Sequence, residues 1–121
     1  MNNLISKVVT WAYARNIIAG STPLKQVEKT GEEVQELVRG LTKLSYLREI
    51  HDMLPAGPDD ALMESARAEV QDALGDVLVT LIIIAEQVDM DIEDCLASAW
   101  EEIKDRKGRM VNGKFVKEES L

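Results

Sequence analysis

The stretch from Val77 to Ala85 constrains the fold more than any other part of the chain. It lies in a longer segment whose apolar residues recur at helical spacing, with Val70, Leu74, Val77, Leu81, Ala85 and Val88 forming the stripe expected to face a core. Val79, Ile82 and Ile83 add apolar side chains on the remaining sides. A helix apolar on every side is buried on every side. A chain of 121 residues builds one core of ordinary size. Four helices in such a monomer rarely surround one of their number, so Val79, Ile82 and Ile83 are expected to meet a second subunit. The run contains Thr80 and stops well short of the ~20 residues needed to span a bilayer, so no membrane contact is expected.

Helical signals continue on both sides of this segment. Leu4, Ile5, Val8, Trp11, Ala12 and Arg15 mark one face of a first helix ending before Gly20. Ser21-Thr22-Pro23 is an N-cap followed by proline at the first helical position. A second helix follows, with Val27, Val34, Leu37, Val38, Leu41 and Leu44 as its apolar stripe. Two prolines and a glycine make residues 52–59 a loop. Asp59 or Asp60 then caps the third helix, which runs to about Val88. Asp91 caps a fourth, with Glu93 and Asp94 in its first turn, Lys104, Arg106 and Lys107 in its last, and Gly108 closing it. Asn112-Gly113, between Met110 and Val116, is a hairpin signature. The expected architecture is all-α: a four-helix bundle over residues 1–108 and a short C-terminal hairpin or tail over 109–121.

Composition narrows the function classes. A formal net charge of −8 argues against a nucleic-acid surface, which needs a basic face. It leaves phosphate ligands open, because a bound divalent metal inverts the local charge. A single cysteine, Cys95, excludes an internal disulfide framework and fits a reducing compartment. At an apolar helix position it is expected to be a small buried hydrophobe. The N-terminus lacks the basic region and long apolar run of a secretory signal, so a cytoplasmic location is expected. His51, the one histidine, is expected to be an exposed loop residue rather than a ligand.

Chemistry is carried by two acidic clusters, Glu32, Glu33 and Glu36 on the second helix and Glu69, Asp72 and Asp76 on the third. Residues three, four and seven apart share a helix face, so Glu69, Asp72 and Asp76 project to one side. Their face continues into Thr80 and Ile83, which puts carboxylates against a dry interior unless they are paired or bind metal. Two such helices brought together make a hard-oxygen site suited to Mg²⁺ or Mn²⁺. The alternative for the second helix is a solvated acidic face, with Lys29 simply pairing with Glu33. Lys104, Arg106 and Lys107 would likewise stabilise any helix C-terminus, and Trp11 and Trp100 are candidate core or interface residues.

The pattern Glu32-Glu33-x-x-Glu36, followed after a gap by an acidic cluster ending in Gly75-Asp76 on a long apolar helix, resembles the MazG-like all-α nucleoside triphosphate pyrophosphohydrolases. The flanks extend the likeness to the small, phage-type branch: Trp11, Arg15 to Ile18 and Gly20 to Pro23 at one end, Glu102 to Gly108 and Met110 to Gly113 at the other. The resemblance implies a helical bundle that assembles as a dimer or tetramer in a bacterial cell, or in a host cell if phage-encoded. It implies Mg²⁺-dependent cleavage of a nucleoside triphosphate between the α and β phosphates, giving monophosphate and pyrophosphate. Glu33 and Glu36 match the metal-binding half of the first motif, with Glu32 leading it. The second motif departs from the family pattern, since Ala73 stands where a glutamate aligned on Gly75-Asp76 would fall. Asp72 and Asp76 are the favoured ligands, with Glu69 supporting them or binding a second ion.

In that mechanism Glu32 would orient or deprotonate water, while Lys29, Lys104, Arg106 or Lys107 would hold the phosphates. Trp11 and Asn16 are the candidates for base or sugar. Two other readings are open: a dUTPase-like or phosphoribosyl-ATP-directed relative with the same chemistry, and a non-catalytic module whose acidic face binds a basic partner.

Overall fold

A computed structural model describes residues 2–53 and 60–121, the side chain of Asn2 excepted. The described residues are mostly helical: α1 (Asn2–Ala14), α2 (Ile17–Gly20), α3 (Pro23–Met53), α4 (Asp60–Gln87) and α5 (Ile92–Ile103), then a hairpin of β1 (Gly108–Val111) and β2 (Lys114–Lys117). The chain divides into two compact units, Met1–Asp89 and Met90–Leu121. The expected boundary at residue 108 falls inside the second of these.

In the first unit α3 and α4 form a long antiparallel pair. Thr30 Oγ1 donates to Thr80 Oγ1 at 2.8 Å, and Lys43 meets Glu69 at 3.0 Å. Between these points the backbones come close at Gly40, where a Cβ would stand 3.3 Å from Val70 Cγ2. The shielded positions alternate three and four apart: Gln26, Thr30, Glu33, Leu37, Gly40, Leu44 and Leu47 on α3, Met63, Ala66, Val70, Ala73, Val77, Thr80, Ile84 and Gln87 on α4. That is the seam of an antiparallel coiled coil, filled largely by small and polar residues.

This seam shares Leu37, Leu44, Val70 and Val77 with the apolar stripes expected from the sequence and departs from them elsewhere. On α3, Val27, Val34, Val38 and Leu41 are exposed and only Leu44 is buried. On α4, Leu74, Leu81 and Val88 are exposed, Val70 and Val77 half-buried, and Ala85 buried. Gly40 lets α3 approach α4 closely, and Val34, Val38, Leu41, Leu74, Leu78 and Leu81 are left exposed on a flank. Ile83, expected at a subunit interface, is buried within the single chain, and Val79 and Ile82 are half-buried.

The first helix is also shorter than expected. The chain breaks at Asn16, held at φ 57, and restarts as the one-turn α2. Asparagine tolerates this left-handed region better than most residues. Thr22 caps α3, its Oγ1 accepting from Lys25 N at 3.1 Å, with Pro23 opening the helix. α1 packs on α4, where Tyr13 Oη donates to Glu86 at 2.7 Å. α2 is tied to the end of α4 by Gln87 Nε2, which donates to the Ile18 carbonyl. Of the loop expected over 52–59, Asp52 and Met53 are helical and the remainder lies outside the described residues. His51 is exposed on the last turn of α3 rather than in a loop.

In the second unit Asp91 caps α5, accepting from the backbone N–H groups of Glu93 and Asp94. α5 ends at Ile103, earlier than expected, so Lys104 is its C-cap and Arg106 and Lys107 lie beyond it. The chain turns there into the hairpin, whose register pairs Arg109 with Val116 and Met110 with Phe115. Asn112 and Gly113, at φ 51 and 80, supply the two left-handed residues of a two-residue turn. Cys95 is exposed, contrary to the expectation that it is a buried hydrophobe. No described helix is long and apolar enough to cross a membrane.

Candidate metal centre and adjoining pocket

The antiparallel register of α3 and α4 places Asp76 opposite the acidic turn of α3. Glu33, Glu36 and Asp76 each offer a carboxylate oxygen, and these oxygens all lie within 4.8 Å of one another. Glu36 and Asp76 face solvent, whereas Glu33 occupies the seam with its side chain only 10% exposed. One Glu33 oxygen accepts from Lys29 Nζ at 3.1 Å, and the other, Oε2, is buried without a hydrogen-bond partner. A buried charged group so placed is costly unless a cation joins it.

Lys29 also reaches Glu32 at 3.5 Å. The hydrogen bond to Glu33, together with the negative charge of Glu33 and Glu32, pushes the Lys29 ammonium above its ordinary pKa. The pairing weighed in the sequence is therefore present. Lys29 is engaged with Glu32 and Glu33 of the acidic turn.

The remaining candidates separate by position. Glu69 is seven residues from Asp76, about 10 Å along the helix axis, and is drawn to Lys43. Asp72 is exposed one turn from Asp76, outside the close trio. Lys104, Arg106 and Lys107 belong to the second unit, where Lys104 pairs with Glu101 at 2.7 Å.

Beside the trio lies a pocket of about 430 Å³ lined by Leu4, Lys7, Val8 and Trp11 of α1 and by Asp76 and Val79 of α4. Asp76 belongs to both features. Trp11 is 41% exposed, and the Arg15 guanidinium lies over its ring at 4.8 Å, a favourable cation–π distance. Arg15 does not itself line the pocket. Asn16 shapes the break after α1 and is not part of the lining.

Lys7 escaped the sequence reading. The signal was its place at i−4 from Trp11, on the face that also carries Leu4 and Val8.

No family model matches the chain, and no solved structure matches it. Over 91 residues, 75% of the chain, it is 32% identical to an uncharacterized 18.2 kDa protein in the rep-hol intergenic region of Haemophilus phage HP1. The aligned part spans 43% of that phage protein.

Proposed function

We propose that this chain is a Mg²⁺-dependent nucleoside triphosphate pyrophosphohydrolase of MazG-like type. The observation that carries the reading is Glu33 Oε2: a buried, unpartnered oxygen in a trio of converging carboxylates, beside a pocket with an accessible tryptophan. The all-oxygen donor set fits Mg²⁺, or Mn²⁺ as an alternative. Glu33, Glu36 and Asp76 would hold the ion, with Asp72 one turn away as a further donor. When bound, such an ion supplies charge neutralisation of the triphosphate and polarisation of the attacked phosphorus.

The chain's own groups would do the rest. Glu32 is exposed and leads the acidic turn, so it can orient water and accept its proton. Trp11 offers its ring to the base, and Lys29 gains freedom to turn to phosphate when a metal replaces it at Glu33.

A second copy of the chain is the natural cover for the exposed flank of Val34, Val38, Leu41, Leu74, Leu78 and Leu81. Two hairpins joined there would close a four-helix bundle, so the proposed assembly is a dimer or a tetramer built from dimers. A non-catalytic module binding a basic partner would use the exposed Glu32, Glu36 and Asp72, and leaves the buried Glu33 without explanation.

Hydrolysis in ¹⁸O-labelled water tests the chemistry. Label in the nucleoside monophosphate and none at first in pyrophosphate is expected, with EDTA abolishing turnover. Nucleoside diphosphate and orthophosphate as products would overturn the mechanism.

A further inference from the structure

The lining of the pocket beside the carboxylates includes two charged residues that an apolar slot does not need, Lys7 and Asp76. Four other cations of the same unit are engaged, whereas Arg39, Arg48 and Arg67 have no ion pair among the described residues and do not line this pocket. Lys29 pairs with Glu32 and Glu33, Lys25 with Glu28, Lys43 with Glu69, and Arg15 lies on Trp11. Lys7 has no ion-pair partner among the described residues and shares its pocket with Asp76. A wall bearing a carboxylate repels an anionic group unless a cation stands beside it.

We propose that Lys7 is a substrate-contacting residue that holds the α-phosphate of a nucleotide whose base lies against Trp11. The inference rests on the nucleotide reading above and adds to it the group that receives the phosphate nearest the sugar. About 430 Å³ falls in the range of small-molecule pockets. The lining sorts by chemistry: Leu4, Val8, Trp11 and Val79 are apolar and suit a base and sugar, while Lys7 and Asp76 are the charged pair. A phosphate at the charged part would touch Lys7 directly and meet the carboxylate trio through whatever cation the trio holds. Lys7 would thus serve substrate and monophosphate product alike, and its loss should weaken binding of both.

Titration calorimetry of the full-length protein in Mg²⁺ gives the test, using each ribonucleoside and deoxyribonucleoside 5′-monophosphate beside its parent nucleoside. These ligands are not turned over. Wild type should bind at least one monophosphate about tenfold or more tighter than its nucleoside. Lys7→Met should erase that difference and leave nucleoside binding unchanged, and Lys7→Arg should restore most of it. The exposed position of Lys7 allows all three proteins to fold, which circular dichroism verifies. Equal monophosphate binding by wild type and Lys7→Met overturns the proposal, as does a wild type that does not prefer any monophosphate to its nucleoside. Release of pyrophosphate from a triphosphate alongside either result shows that the wider reading survives. Its absence removes both.

Discussion

Replacing Glu33 should make the metal-free protein more stable while removing its response to metal. Glu33→Met keeps the length of the side chain and a similar helix propensity, and changes a charged seam residue into an apolar one. The wild-type side chain is 10% exposed and its Oε2 lacks a partner. An orphaned buried acceptor costs about 1–3 kcal/mol, and more when charged. Methionine removes that cost and adds apolar burial against the partner helix. What is lost is the Lys29 bridge, which contributes little because its ammonium is open to solvent. The net expectation in EDTA is a gain of about 1–2 kcal/mol, a rise of several degrees in Tm for a domain of this size.

Metal should invert the order. A divalent ion that binds only the folded wild type adds about 2.7 kcal/mol at a hundredfold excess over its Kd. Glu33→Met should gain little or nothing. Paired thermal melts by circular dichroism, in EDTA and in millimolar Mg²⁺, give both quantities. A variant less stable than wild type in EDTA would mean that Glu33 holds the seam together. An equal Mg²⁺ shift in both proteins would place the ion elsewhere.

Three further outcomes are expected. Glu36→Gln or Asp76→Asn should abolish pyrophosphate release with helical content unchanged, since both side chains are exposed; near-wild-type turnover by both would refute the site. Leu78→Glu should lower the oligomeric state without unfolding the chain, whereas Ile83→Glu, at a buried position, should unfold it; a wild-type mass of 13.5 kDa by light scattering at micromolar concentration would refute the assembly. Stability should fall on the alkaline side. Tyr13 is raised by its hydrogen bond to Glu86, and Lys29 by its bond to Glu33, so both contacts are whole below pH 10 and fade as pH climbs through the raised values. Tyr13→Phe should flatten part of that decline in a series of melts from pH 8 to 11.5, and an unchanged slope would refute the Tyr13 contribution.

Element starts were legible where a local motif fixes the backbone. Thr22-Pro23, Asp91 and Asn112-Gly113 all act within three or four residues, and each is found at the expected place. The break at Asn16 was not legible, because helical periodicity runs through it and only the left-handed backbone interrupts it. The seam was legible only at Leu37, Leu44, Val70 and Val77, for a different reason. Apolar periodicity marks a face that avoids water and does not say which neighbour covers it. On α3 and α4 the closest neighbour is met by Gln26, Thr30, Gly40, Ala66, Ala73 and Thr80, which a hydrophobic scan passes over. The same error hid the place of Glu33. Taken from the apolar stripe it sat near an edge, whereas from the seam it is a core position. The trio of Glu33, Glu36 and Asp76 was present in the sequence pattern, but choosing it over Glu69 required the helix register and the pull of Lys43.

The two flanks of the α3–α4 pair have opposite chemistry, and helical geometry explains why both can persist. Glu36 and Val38 are two residues apart on α3, as are Asp76 and Leu78 on α4, so about 200° separates each pair around its helix. The carboxylates therefore lie on one side of the hairpin and the exposed aliphatics on the other. A second copy docking on the aliphatic side leaves the acidic side open to ligand. α1 completes that open side, bringing Trp11 and Lys7 to the pocket that Asp76 shares. The convergence of the carboxylates follows from the register of the seam: Glu36 precedes Leu37 as Asp76 precedes Val77, so both turn to the same side of the helix pair and come within 4.8 Å of each other and of Glu33.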